Sequence, residues 1–111
     1  MSGKKSNYRF YQNFKVAGFE FAEGCMVFDK LKPGVKLELE REPNNNFDSY
    51  AVAIYYENAK IGYIPKGSNV DIRTFLDMGH TDIFDVRVQS INPNTHPEQQ
   101  VGVVIFVKAK E

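Results

Sequence analysis

The sequence predicts a mainly β domain, with six short strands and one or two short helices built into a small, strongly bent sheet or barrel. Three observations carry that prediction. Leu37 and Leu39 alternate with Glu38, Glu40 and Glu42, and Val52, Ile54 and Tyr56 alternate farther along, the period of two that marks half-buried strands. Turn-forming stretches, Pro33-Gly34, Pro43-Asn44-Asn45-Asn46 and Glu57-Asn58-Ala59, punctuate the apolar runs. Between Ser68 and Gly79 the pattern switches to a helical one, with Ile72, Phe75 and Leu76 at i, i+3 and i+4.

Each element has a local reason. Residues 1–7 are small or charged and read as a flexible lead-in, leaving 8–111 as one domain. Tyr8 to Phe21 reads as the first strand, with Tyr8, Phe10, Phe14 and Val16 on one face. Pro33-Gly34 turns the chain into Val35 to Arg41. Pro43 lacks a backbone donor and stops that strand. Val52 to Tyr56 and Lys60 to Ile64 form a hairpin about Glu57-Asn58-Ala59. Ser68 and Asp71 have capping-box spacing at the start of a helix over Ser68 to Met78, and Gly79 suits its left-handed end. Phe84, Val86 and Val88 alternate with Asp85, Arg87 and Gln89 in a half-exposed strand. Asn92 to Pro97 is a loop, and Val101 to Val107, apolar almost throughout, predicts a strand covered on both faces. The apolar phase of these elements places Leu37, Leu39, Val52, Ile54, Ile64, Ile72, Phe75, Leu76, Val86, Val88, Val103 and Ile105 in one core, with the helix over an open end.

Composition narrows the function classes. The 111 residues carry 14 basic and 14 acidic side chains, a net charge of zero. Broad, non-specific nucleic-acid binding needs a net positive surface, so any such site must be local, two or three cations beside a stacking platform. No apolar run reaches a membrane span, and none follows the first residues as a secretory signal would. One cysteine, Cys25, suits a reducing cytoplasm. Cys25, His80 and His96 lack ligand spacing, and no glycine-rich phosphate loop with a lysine occurs, so neither metal, cofactor nor catalytic engine is expected.

The candidate binding residues cluster on loops. Asn44, Asn45 and Asp48 can shape and cap the turn between two strands or meet a ligand there. Phe21 can be core or a stacking surface. Lys66, followed by Gly67, Ser68 and Asn69 at the helix start, offers an anion site, and Tyr63 precedes it on the hairpin.

Five motifs stand in an order and spacing that resembles the HIRAN domain family. They are Ala17-Gly18-Phe19-Glu20-Phe21, Pro33-Gly34, Arg41-Glu42-Pro43-Asn44-Asn45-Asn46-Phe47-Asp48, Ala51-Val52-Ala53-Ile54 and Lys60-Ile61-Gly62-Tyr63-Ile64-Pro65-Lys66. The resemblance runs from Val16 to Leu76 and more loosely to Val107. It implies a small barrel related to the OB and SH3 types and a pocket for the 3′ end of single-stranded DNA, in repair or replication-fork processing. On that resemblance Asp48 and Asn45 meet the terminal sugar within the loop begun by Asn44. Phe47 and Phe21 support bases, and Tyr63 and Lys66 hold phosphate. Relatives carry the domain beside helicase-like or nuclease engines, so a partner of that kind is expected. DNA-binding members have a cation and two aromatics where this chain has Glu20, Phe21 and Ala22. That difference motivates an alternative, a protein-interaction module of the same fold without the DNA-end pocket. A small hydrolase using Asp48 or Glu42 lacks a base or metal ligand beside either carboxylate.

Overall fold

A computed structural model describes residues 7–19 and 22–110. The described strands are β1 (Tyr8–Lys15), β2 (Lys36–Arg41), β3 (Val52–Tyr56), β4 (Ala59–Tyr63), β5 (Phe84–Ile91) and β6 (Val101–Lys108). One α-helix, α1 (Val70–Asp77), and short 3-10 turns at Glu23–Met26, Phe28–Lys30 and Pro97–Gln99 complete them. The six strands form one antiparallel sheet in the order β1-β6-β5-β2-β3-β4. β6 runs between β1 and β5 and is buried from Val101 to Ile105, as its unbroken apolar sequence requires.

The sheet bends where β2 changes partners. Lys36 and Leu37 pair with β5, whereas Glu38 to Arg41 pair with β3. Leu37, Leu39, Leu76 and Phe84 line the gap this leaves, and Leu76 brings α1 over it. No ladder joins the outer strands β1 and β4, so "barrel" describes the fold only loosely. The join is a single bridge just beyond β1, where Ala17 and Tyr63 exchange backbone hydrogen bonds of 2.9 Å each. Gly62 makes that bridge possible. Its φ is +149°, and a Cβ there would lie 2.5 Å from the Ala17 carbonyl oxygen and close on Val16. Gly62→Ala is therefore expected to cost about 1–3 kcal/mol, as overpacking does. Hydrogen exchange should show the loss first at the Ala17 and Tyr63 amides.

The first strand differs from its sequence reading. It ends at Lys15, and a bulge between Phe10 and Gln12 leaves Tyr11 unmatched. One extra residue reverses the side-chain phase. Tyr8 and Phe10 consequently face solvent, while Tyr11 packs on Phe84 and Phe14 and Val16 reach the core. The helix is also shorter than Ser68 to Met78. Asn69 occupies its N-cap position with no side-chain cap, and the Ser68–Asp71 capping box is absent. The Asn69 amide is turned instead toward Asp48, to which it donates at 2.8 Å. The C-terminal end matches expectation. Gly79, at φ +89°, donates to Leu76, and His80 donates to Phe75, which together make a Schellman cap.

Nine of the twelve expected core residues are buried: Leu37, Val52, Ile54, Ile64, Ile72, Val86, Val88, Val103 and Ile105. Leu39 and Leu76 are half-buried against them. Phe75 is 40% exposed, its ring edge-on to Phe84 at 6.0 Å. On a helix Phe75 and Leu76 lie on opposite sides of Ile72, about 60° and 40° away. A helix this short buries the Ile72–Leu76 side and leaves Phe75 at the margin. Val16, Phe19, Leu31 and Ile61 join the core without having been expected there, and Val101 does so as the start of the strand expected to be covered on both faces.

Candidate nucleic-acid interface

The segment between β2 and β3 is shaped by its own short polar side chains. Asn45 Oδ1 accepts from the backbone N–H groups of Phe47 (2.8 Å) and Asp48 (3.1 Å). Asp48 Oδ1 accepts from Tyr50 N (2.9 Å), and its Oδ2 accepts from Asn69 Nδ2. These are the side-chain-to-backbone bonds that let asparagine and aspartate replace regular structure. None of the three asparagines needs a left-handed backbone for this.

Beneath the loop lies a compact polar network. Tyr63 Oη donates to Glu42 Oε1 (2.8 Å) and accepts from Lys60 Nζ (3.1 Å), while Asn45 Nδ2 also donates to Glu42 Oε1 (3.1 Å). Lys60 and Glu42 form an ion pair. Burial pushes the Glu42 carboxyl up, but hydrogen bonds from Lys60, Asn45 and Tyr63 outweigh it and hold the group below the usual carboxylate range. The Glu42 carboxylate in turn holds the Lys60 ammonium above the ordinary lysine range. A carboxyl depressed on folding contributes stability above its unfolded pKa of about 4.3 and loses it as pH falls through the folded value. The melting temperature of the parent protein should therefore fall between pH 5 and pH 3 more steeply than that of Glu42→Gln. Equal slopes would remove Glu42 from the acid response.

Above this network is an open cavity of about 560 Å³ lined by Ala17, Asn44, Asn45, Asn46, Phe47, Asp48, Ala51, Tyr63, Ile64 and Lys66. Six residues singled out from sequence (Asn44, Asn45, Phe47, Asp48, Tyr63 and Lys66) thus border one space. The seventh, Phe21, lies outside the described residues, as does Glu20. Phe47 is 90% exposed, its backbone fixed by Asn45 and its ring uncovered. The Tyr50 N–H holds the Asp48 carboxyl below its usual range against a smaller effect of burial, helped by Asn69 and by the charges of Lys66 and Arg41. Asp48 is thus an ionised acceptor at neutral pH, and two bonds leave it lone pairs to spare. Lys66 is exposed and has no ion pair among the described residues.

Sequence reasoning missed the supporting residues. Glu42 continued the stripe of Glu38 and Glu40 and looked solvated, and only the register of β2, β3 and β4 brings it to Tyr63 and Lys60. Asn69 read as part of a helix start, yet it is 1% exposed and bonded to Asp48. Among the described residues no three His, Cys, Asp or Glu side chains are gathered to hold a metal ion. No described helix is long and apolar enough to cross a membrane.

A bent six-stranded sheet with a polar loop cavity beside its closing bridge defines a small β-domain of the binding-module type. The chain belongs to the HIRAN domain family, whose pattern matches residues 9–110, and HIRAN domains are in general DNA-binding modules. Two solved structures share the fold. A protein from Lactobacillus plantarum superposes with a TM-score of 0.77 at 20% identity, covering 93% of this chain and 97% of the other. The HIRAN domain of human HLTF superposes with a TM-score of 0.60 at 14% identity, covering 99% of this chain and 84% of the other. The comparison with curated proteins gave no match.

Proposed function

We propose that this domain is a binding module for the 3′ end of single-stranded DNA, without chemistry of its own, serving repair or fork processing beside a helicase or nuclease partner. The observation that carries the reading is the meeting of Asn44, Phe47, Asp48 and Lys66 at one cavity built on Asn45 and Tyr63. Asp48 accepts the terminal hydroxyl. Phe47 stacks on a base, and Lys66 faces phosphate. Asn45 and Tyr63 are already bonded within the protein, so their part is chiefly to hold the loop in shape. Phe21 adds a second stacking surface in this proposal. Fluorescence anisotropy with oligonucleotides bearing a free or a blocked 3′ end tests it. Tighter binding of the free end is expected, and equal binding, or none at low salt, refutes it.

A second reading, a protein-interaction module, is favoured by a separate concavity of about 760 Å³. Its walls set Glu38, Glu40 and Glu57 against Lys36 alone, beside Tyr55 and Tyr56, a net negative arrangement that disfavours phosphate and suits a basic peptide. Recovery of nucleic acid but no reproducible protein partner in a pull-down would count against it.

A further inference from the structure

Tyr50 is 42% exposed, immediately beyond the cavity, and its backbone N–H is bonded to Asp48. Its ring does not join the core. The Arg73 guanidinium lies 3.9 Å from the ring centroid, a close cation–π stack that fixes the ring against α1. The Arg73 Nε is buried and has no hydrogen-bond partner, so this side chain is held by the stack and by a long 3.9 Å approach to Asp77.

The charges around the cavity are unequal. On the Tyr50 side, Arg41 and Arg73 share the carboxylate of Asp77, and Lys66 and Arg41 lie near that of Asp48, three cations against two carboxylates. On the opposite side, beyond Tyr63, Lys60 is neutralised by Glu42. There Glu23 accepts from the Lys60 backbone, and Glu98 accepts from Gly18 N through both oxygens at 3.0 and 3.1 Å. A polyanion leaving the cavity meets an excess of cations and a partly exposed aromatic in one direction and an excess of carboxylates in the other.

We infer that the Tyr50–Arg73 stack is a further nucleobase platform outside the end pocket, over which a bound single strand runs after leaving it. The inference rests on the end-binding reading and adds the path of the strand and a ligand longer than the pocket alone takes. A stacked guanidinium keeps the ring in one orientation, so a base lands on it with little ordering. Such stacking is sequence-tolerant.

The chain has no tryptophan, so Tyr50→Trp introduces a single indole at the platform. Titration with an oligothymidylate several nucleotides long should quench its emission at the concentrations where anisotropy reports binding. A thymidine dinucleotide, which fills only the pocket, should bind without quenching. Tyr8→Trp, on the exposed start of β1, should respond to neither. Tyr50→Ala should weaken the longer oligonucleotide about tenfold, within the range of aromatic stacking, and leave the dinucleotide unchanged, while Tyr50→Phe restores the parent affinity. If the stack only staples the loop to α1, Tyr50→Ala lowers the melting temperature without separating the two ligands, and the platform is refuted. Binding of the longer strand with neither quenching nor a Tyr50→Ala effect refutes the platform alone. No binding of either oligonucleotide by the parent protein refutes the end-binding reading and the platform together.

Discussion

Asp48→Asn is expected to lower affinity for a free 3′ end about tenfold while changing stability little. The fold change is the difference between a hydrogen bond to an ionised acceptor and one to a neutral amide, about 1.4 kcal/mol. The small stability effect follows from the loop. Asparagine keeps an oxygen for the Tyr50 N–H, the bond that forms the turn, and asparagine caps about as well as aspartate. Its new amide nitrogen would face the Asn69 amide nitrogen, now the donor to Asp48, but a flip of Asn69 resolves the clash. The flip turns Asn69 Oδ1, buried and unpartnered in the parent, toward the new donor. Anisotropy with free and blocked ends, beside a thermal melt, reads both quantities. An unchanged preference for the free end would confine Asp48 to shaping the turn.

Ile54→Ala is expected to destabilise the domain by about 2–5 kcal/mol, the cost of a large-to-small change where the core cannot collapse. Ile54 is fully buried at the centre of β3, paired with Leu39 on one side and Gly62 on the other. Its neighbours are held by ladder hydrogen bonds on both edges, so little relaxation is open to them. Stabilities of 5–15 kcal/mol are usual for domains, and this loss takes a large part of one. Chemical denaturation should show a lower midpoint at nearly constant slope. Phe75→Ala, which the periodicity of the helix would place in the same class, should cost less because its ring lies at the edge of the core. Equal losses at the two positions would contradict this burial.

What could be read from the chain was what neighbours in sequence impose on one another. The alternation along β2, the Pro33-Gly34 turn and the glycine that closes α1 are local constraints, and each is found where the pattern put it. β3 departs from its expected alternation, being buried on both faces from Val52 to Ile54, and the hairpin turn is Glu57-Asn58 alone, with Ala59 already opening β4. The loop from Asn44 to Asp48 was legible for the same reason, since short polar side chains bond the backbone two or three residues away. Family resemblance supplied the order of the motifs and pointed to the cavity residues.

Where sequence reading went astray, partners distant along the chain had decided the outcome. The bulge at Tyr11 turns Tyr8 and Phe10 outward, and it arises from the pairing of β1 with β6, nearly the whole chain apart. Asn69 displaces Ser68 from the N-cap position because Asp48, 21 residues earlier, accepts its amide. Glu42, one residue past β2, is half-buried rather than solvated because the pairing of β2, β3 and β4 brings Tyr63 and Lys60 to it. Local pattern sets the dihedrals and the apolar phase of an element. Which polar groups become neighbours depends on register and on the closing bridge at Gly62, and a shift of one residue there would exchange the two faces of a strand.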